Sequence, residues 1–200
     1  MSGQPVIVFN PKNILLCIIT GFLFVSNIVK ADYKTVQRLY PVPEHGELVL
    51  EVPEKWEVTY FSPAENKPPV ITFYQKDDKK KELFQLNLSP LWDDGFGRNI
   101  TSPEQIRDFV NNVGQRVLEL SDETELQLLL IQGTDGQGYF FSLTDSSAGP
   151  GEYRYLTQGA LSVGEILVVF SLFTHEPDSP IYDSVMKMLQ TASLRFQRHV

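Results

Sequence analysis

The residues in this sequence that could do chemistry are few, and the densest group is the stretch from Trp92 to Arg98. It holds an indole, two adjacent carboxylates (Asp93 and Asp94), the Phe96 ring and a guanidinium group, with glycines between them. Exposed aromatic and arginine side chains dominate the binding energy of protein interfaces. One interpretation is that this loop contacts a partner or ligand. The other is that its aromatic rings fold back on the core of the domain.

Neither common chemistry of paired carboxylates is favoured for Asp93 and Asp94. An EF-hand calcium loop needs acids at alternating positions before a glycine, whereas these two are adjacent. A glycosidase needs two carboxyl groups roughly 5–10 Å apart across a substrate, and nothing in the sequence imposes that separation. We therefore predict that any contact made by this loop is binding and not catalysis.

A second candidate group is His175, Glu176 and Asp178, three side chains of the types that ligate metals. Metal sites usually gather ligands from several elements, whereas these residues belong to one short run before a helix start. The alternative is a polar loop in which Asp178 or Ser179 caps the helix. We expect no metal site and no cofactor.

Recognised catalytic motifs are missing from the sequence. It has three histidines and no Gly-x-Ser-x-Gly motif, which argues against a serine hydrolase. The spacing of Asp135–Gly138 fits neither a dinucleotide nor a P-loop motif, and a hairpin turn accounts for it. We expect a protein that is not an enzyme. The alternative is an exported hydrolase or small-ligand enzyme that uses Asp93, Asp94 or His175.

The charge of the chain narrows the range of partners. The 200 residues include 17 basic and 25 acidic side chains, a formal charge of −8. Residues 1–31 contribute two of the basic and none of the acidic residues, so the remainder has 15 basic and 25 acidic residues and a formal charge of −10. Such a chain repels phosphate backbones and anionic lipid surfaces. We expect no nucleic acid among its partners.

An uncharged apolar run of sixteen residues, ILLCIITGFLFVSNIV, occupies residues 14–29 after Lys12. As a helix it would span about 24 Å, less than the roughly 30 Å of bilayer hydrocarbon. The lysine, the run and the residues up to Ala31 are typical of a secretory signal peptide. We predict that residues 1–31 are removed, leaving a periplasmic or secreted protein without membrane insertion. The alternative is an uncleaved membrane anchor. The single cysteine, Cys17, lies in this run, so the remaining chain has neither disulfides nor thiol chemistry.

The remaining chain is predicted to form one domain. Residues 32–46 are polar and contain two prolines, so we expect an extended lead-in before a domain that covers residues 47–200. His45 and His199 then lie in the lead-in and the tail, where we expect both to be solvated. Apolar alternation and turn residues predict four strands on each side of a first helix. The predicted strands are Glu47–Val52, Trp56–Phe61, Val70–Gln75, Leu83–Leu88, Leu126–Ile131, Tyr139–Leu143, Glu152–Leu161 and Glu165–Phe173.

Two helix starts are predicted from capping residues. Ser102 can accept hydrogen bonds from free backbone amides, and Pro103 suits the first helical position. Gly114 interrupts the apolar stripe of this helix, where we expect a neighbour to pack closely. A second helix is predicted to open at Ser179, with Arg195 and Arg198 near the negative end of its dipole. Its predicted buried stripe is Ile181, Val185, Met188, Leu189, Ala192 and Phe196.

Short connections between consecutive strands predict antiparallel pairing. Glu165–Phe173 is apolar on both faces, as expected for a central strand covered on both sides. Two amphipathic helices provide one or two covering layers. The predicted fold class is therefore α+β, a mostly antiparallel β-sheet with two amphipathic helices packed on it.

The order of elements from Glu47 to Phe196 resembles the PsbP-like superfamily. The resemblance rests on a strand-Pro-x-x-Trp corner (Val52, Pro53, Trp56), the helix capped by Ser102, and the YRYLTQGAL–VGEILVVFSLF hairpin before a terminal helix. This superfamily includes an extrinsic subunit of photosystem II, a Ran-binding nuclear import factor and DcrB-type bacterial envelope proteins. The resemblance implies an α/β/α sandwich and a non-enzymatic assembly, accessory or partner-binding role with a protein partner in the cell envelope. The N-terminal region by which PsbP engages its photosystem has no counterpart here, so no photosynthetic role is implied.

Overall fold

The structure is a computed structural model, and it describes residues 34–63, 67–92, 101–177 and 179–196. The predicted signal segment lies outside the described residues. The described part forms ten strands and two helices. In chain order these are β1 (Thr35–Val42), β2 (Gly46–Pro53), β3 (Glu57–Phe61), β4 (Val70–Lys76), β5 (Glu82–Leu91), α1 (Pro103–Leu118), β6 (Leu129–Gln132), β7 (Gln137–Thr144), β8 (Tyr155–Val163), β9 (Ile166–Thr174), α2 (Pro180–Gln190) and β10 (Ser193–Arg195).

The strands form two antiparallel sheets. The smaller sheet has the order β1-β2-β10, and the seven-stranded sheet has the order β3-β4-β5-β9-β8-β7-β6. The predicted α+β class, with mostly antiparallel strands and two packed helices, is confirmed. All eight predicted strands are present, and β1 and β10 are additional.

Strand β9 lies at the centre of the larger sheet, as its apolar sequence predicts. Ile166, Val168 and Phe170 are buried on one face, while Leu167 is buried and Val169 partly buried on the other. Each face contributes to a separate core, because side chains alternate across a strand. The hydrophobic core of the molecule is thus split into two layers by this sheet.

Helix α1 covers one face of the sheet, and α2 together with the small sheet covers the other. Ile106 and Val110 of α1 pack with Phe141, Ala160 and Leu167. On the opposite face, residues of α2 and β2 share one cluster with the inward residues of β9. The Gly114 prediction is confirmed, since a Cβ at this position would lie 2.6 Å from Leu126 Cδ2 and 3.0 Å from Phe141 Cδ1.

The predicted lead-in is wrong for residues 35–42, which form strand β1 of the domain. They pair with β2 over eight residue pairs, and Tyr40 and Val42 are buried in the larger core. Because β1 is the edge of its sheet, Pro41 can occupy it without removing a required hydrogen bond. The prolines that indicated a lead-in are therefore compatible with an edge strand.

The predicted second helix extends too far. α2 ends at Gln190, and Ser193–Arg195 pair with β2 as β10. Phe196, predicted to be buried, is 55% exposed. Arg195, predicted near the end of the helix dipole, belongs to β10 and pairs with Glu47, its Nη2 2.6 Å from Oε2. One edge of β2 pairs with β1 and the other edge is open. Pairing of β10 with that open edge satisfies backbone amides and carbonyls of β2 that would lack partners if α2 continued as a helix. Arg198 lies outside the described residues.

The Pro53–Trp56 turn carries the chain from the small sheet to the large one. The Trp56 amide donates to the Pro53 carbonyl at 3.0 Å. The Trp56 ring is buried, with its centroid 4.7 Å from that of Phe84 and 6.2 Å from that of Phe73. The corner noted in the sequence is thus a core contact between the sheets. Among the described residues no helix has the length and apolar character needed to cross a membrane.

Candidate functional site

Trp92 is the one member of the predicted binding set that the structure describes. It directly follows β5, is partly buried, and packs against the larger core cluster. Asp93, Asp94, Phe96 and Arg98 lie outside the described residues. The indole therefore has a core contact, while the binding role of the loop stays a prediction.

Trp92 also stacks on His45, which lies in the turn between β1 and β2. The two ring centroids are 5.6 Å apart with an interplanar angle of 21°. His45 Nδ1 lies 2.6 Å from Glu165 Oε1 in the β8–β9 turn, and the His45 side chain is only 25% exposed. The sequence-based prediction of a solvated His45 is wrong. The β1–β2 turn, the end of β5 and the β8–β9 turn meet here, and their side chains connect the small sheet to the large one.

His175 occupies a structural contact at the end of β9. Its Nδ1 lies 3.0 Å from the Glu152 carbonyl oxygen and its Nε2 lies 3.1 Å from the Glu82 carbonyl oxygen. The ring stacks on Tyr153 at a centroid distance of 4.6 Å. Since both ring nitrogens face backbone acceptors, neither is presented to a metal ion. In the described part of the chain no three His, Cys, Asp or Glu side chains are grouped as metal ligands.

The Tyr153 hydroxyl completes this contact by donating to Glu82 Oε2 at 3.2 Å. Burial, together with the nearby Glu82 carboxylate, raises the pKa of Tyr153 to about 12. The phenol therefore remains protonated and keeps its hydrogen bond at neutral pH. At the other end of this connection Ser179 caps α2, its hydroxyl oxygen accepting from the Ile181 amide at 3.3 Å. Asp178 lies outside the described residues.

A cleft of about 540 Å³ lies between the ends of β7, β8 and β9 and the N-terminus of α2. Two transverse rows of the large sheet form its floor: Ser142 pairs with Thr157, and Thr144 pairs with Tyr155, which pairs with Thr174. The same face is apolar core further along these strands, at residues such as Phe140 and Leu161. The face thus changes from apolar to hydroxyl-bearing where it extends beyond the core. The described lining residues are Glu123, Ser142, Leu143, Thr144, Tyr155, Thr157, Thr174, Pro177, Ser179, Tyr182 and Asp183.

The hydroxyl groups of this cleft are organised by hydrogen bonds. Ser142 Oγ and Thr157 Oγ1 are 2.8 Å apart, and the Thr174 hydroxyl donates to the Glu176 carbonyl at 2.9 Å. Each bonded hydroxyl still has an oxygen lone pair that can accept from a ligand. Burial, followed by the negative charge of Asp183, raises the pKa of Tyr182, so its phenol is a donor at neutral pH.

Glu123 is a carboxylate of the cleft that is held by two hydrogen bonds. Its Oε2 accepts from the Thr144 amide at 2.9 Å and its Oε1 accepts from the Thr144 hydroxyl at 2.8 Å. Partial burial favours a higher pKa, but these hydrogen bonds outweigh it, so the pKa of Glu123 is lowered. A general acid needs a pKa close to the working pH. Glu123 is therefore suited to presenting a fixed negative charge and not to donating a proton.

Sequence reasoning did not identify this cleft. Its residues come from six elements or connections between positions 123 and 183, and no local motif joins them. One signal was available in the strands. Ser142, Thr144 and Thr157 share a strand face with the apolar Phe140 and Leu161, so the change from apolar to hydroxyl-bearing residues along that face is visible in the sequence.

Comparison with models of known protein families finds no match to this chain, and comparison with curated protein sequences finds none either. Membership of the PsbP-like superfamily stays a prediction.

Proposed function

We propose that this protein is a non-catalytic binding protein of the cell envelope, an exported accessory or assembly factor that holds a segment of a protein partner in the cleft beside α2. The observation that supports this most directly is the lining of that cleft. It presents several hydroxyl groups and a carboxylate, Glu123, whose hydrogen bonds keep it ionised. Such a surface offers many directional contacts, and none of its described hydroxyl groups is paired with a histidine or lysine base.

The alternative, a hydrolase that uses Asp93, Asp94 or His175, has less support. His175 is absent from the described lining of the cleft, and both of its ring nitrogens face backbone carbonyls. Both aspartates lie outside the described residues. A hydrolytic site would bring a base with a free lone pair into a cavity, together with a carboxyl whose pKa is raised.

Export is the second part of the proposal, and it rests on the apolar segment at residues 14–29. The full chain, expressed in its native host, is expected to be recovered from the envelope or the medium with Asp32 as its first residue. Intact mass measurement checks this. A mass that includes residues 1–31 would show instead that the segment is retained as an anchor.

The binding role is tested by blocking the cleft. Ser142 is exposed on β7 and lines the cleft, so Ser142→Tyr fills it with little cost to folding. Thr59→Tyr is the matched control, because Thr59 is an exposed strand residue that is not part of the cleft lining. After cross-linking in the envelope, the wild type and Thr59→Tyr should capture the same partner in equal amounts. Ser142→Tyr should capture at most about a tenth as much, which corresponds to a loss of roughly 1.4 kcal/mol of binding free energy. Equal capture by all three proteins, or capture of no partner, would contradict the proposal.

A further inference from the structure

The charges around the cleft have one sign. The described lining contains two carboxylates, Glu123 and Asp183, and no lysine, arginine or histidine. The N-terminus of α2 opposes them with about half a positive charge, partly satisfied by the Ser179 cap. Two full negative charges outweigh this partial charge. The cleft therefore favours a positively charged group and repels an anion.

The two carboxylates belong to different sides of the cleft. Glu123 comes from the connection between α1 and β6 and is held over β7 by Thr144, while Asp183 lies in the first turn of α2. A cationic group between the strand ends and the helix would be attracted by both. Arg154 directly precedes β8 and is the cation nearest along the chain to the cleft residue Tyr155. Its Nη2 lies 3.1 Å from Asp122 Oδ2. It is thus engaged by another acid of the same connection as Glu123.

The remaining lining suits the same kind of ligand. An ammonium group has three donors and a guanidinium group five, and neither has an acceptor. The hydroxyl oxygens of Ser142 and Thr157 can accept from such donors. Tyr155 and Tyr182 also line the cleft and provide aromatic rings, which attract cations over their faces. Charge, acceptors and rings are therefore all compatible with a cation.

We infer that the cleft recognises a guanidinium or ammonium group, the side chain of an arginine or lysine in the partner segment. This inference rests on the proposed function, because it names the chemistry by which the same cleft would hold its partner. A net formal charge of −10 outside residues 1–31 would also draw a basic segment towards the protein.

The inference is tested by peptide titration of the exported protein, purified after expression of the full chain. The probe is acetyl-Ala-Arg-Ala-amide, and the comparison peptides carry citrulline or glutamate in place of arginine. The arginine peptide should shift the backbone amide resonances of Thr144, Thr157 and Asp183 saturably. The neutral citrulline peptide should bind at least about tenfold more weakly, and the glutamate peptide should cause no shift. Affinity for the arginine peptide should fall as salt is added, because salt screens exposed charges.

A pair of variants separates the charge of the cleft from the charge of the whole protein. Asp183→Asn should weaken binding of the arginine peptide about tenfold, whereas Glu104→Gln should leave it unchanged. Both residues are exposed acids in the first turn of a helix, but Glu104 belongs to α1, away from the cleft. Equal effects of the two substitutions would show a general charge effect and overturn the inference.

Other outcomes separate this inference from the proposed function. Equal binding of the arginine and citrulline peptides would overturn recognition by charge and leave the cleft as a binding site. Agmatine, a free guanidinium compound, is a further probe. If it binds as tightly as the arginine peptide, the site would be assigned to a small amine, and the inference that it recognises a side chain of a partner protein would be overturned. If no probe shifts the cleft resonances, the inference fails, while capture by wild type and Ser142→Tyr still decides the proposed function.

Discussion

Glu123 illustrates how hydrogen bonds lower the pKa of a partly buried carboxyl group. Its carboxylate accepts from both the amide and the hydroxyl of Thr144, and its pKa is lowered from the ordinary value of 4.5. A carboxyl with a lower pKa in the folded state stabilises the fold at pH values above its unfolded pKa. That contribution is lost as the pH falls through the lower, folded value.

Glu123→Gln should therefore lower the free energy of unfolding by about 1–2 kcal/mol at pH 7, because charge-assisted hydrogen bonds become neutral ones. The difference from the wild type should shrink as the pH falls below the ordinary value of 4.5 and through the lower, folded pKa, where the carboxyl of the wild type becomes protonated. Urea unfolding at pH 7, 5 and 3 measures this. Glu125→Gln, at an exposed acid two residues away, is the control and should have little effect. A difference that stays constant with pH would contradict the assignment.

Trp92 is the residue at which the structural and binding interpretations can be separated. The ring packs on the core and stacks on His45, so Trp92→Ala should lower the free energy of unfolding by about 2–4 kcal/mol. A double-mutant cycle with His45→Ala should give a coupling of about 0.5–1.5 kcal/mol for the stacked pair. Retained partner binding by the folded fraction of Trp92→Ala would make the residue structural. An unchanged stability with binding lost would restore it as a binding anchor.

At the scale of elements, a cap determines where helix α1 begins, and the neighbours of its buried face determine which residue it needs at position 114. The Ser102 hydroxyl accepts from the Gln105 amide at 3.2 Å and starts α1 at the position its sequence predicts. Gly114 lies on the face of α1 that packs on Leu126 and Phe141. A glycine inside a helix usually costs about 1 kcal/mol relative to alanine, so a compensating contact is expected here.

Gly114→Ala tests this contact. In an open helix the change should stabilise, but here the new methyl group would lie 2.6 Å from Leu126 Cδ2, and overpacking of this kind costs about 1–3 kcal/mol. We expect a net loss of about 1 kcal/mol of stability. Leu126 is a flexible side chain, so in a Leu126→Ala background the same Gly114→Ala change should become neutral or stabilising. Thermal unfolding of the four proteins measures the cycle. A gain in stability from Gly114→Ala alone would contradict the close packing.

At the scale of the whole molecule, β9 joins the two cores. Val168 is buried in the cluster shared by the small sheet and α2, and the adjacent Leu167 is buried in the cluster under α1. A charge introduced at this strand has no partner on its face and disrupts the larger core. The edge strand β6, in contrast, has exposed positions such as Leu130 where a charge stays in contact with water.

Val168→Asp should therefore unfold the protein, with a loss of more than about 4 kcal/mol from a buried, unpaired carboxylate. Leu130→Asp is the matched control, because Leu130 lies on the edge strand β6 and is 57% exposed. That variant should stay within about 1 kcal/mol of the wild type. Circular dichroism with urea unfolding distinguishes the two. A folded Val168→Asp variant with unchanged melting would show that the strand is not central.

The sequence by itself determined the features whose physical causes are local. Capping by Ser102 and Ser179 starts both helices, and eight strands are marked by their apolar alternation. The central place of β9 followed from the same kind of argument, since nine residues without polar alternation need cover on both faces. Each of these depends on neighbours within a few positions along the chain.

Only the tertiary structure decided the features that depend on distant partners. β10 forms because β2 has an open edge, and it brings Arg195 to Glu47, 148 positions away. His45 is ordered by Glu165, 120 positions away, against the expectation for a polar turn. The cleft is likewise assembled from side chains that are unremarkable in their own segments. Local periodicity indicates which face of a strand points inward, but where that face extends beyond the core depends on how far α2 and the small sheet reach across it.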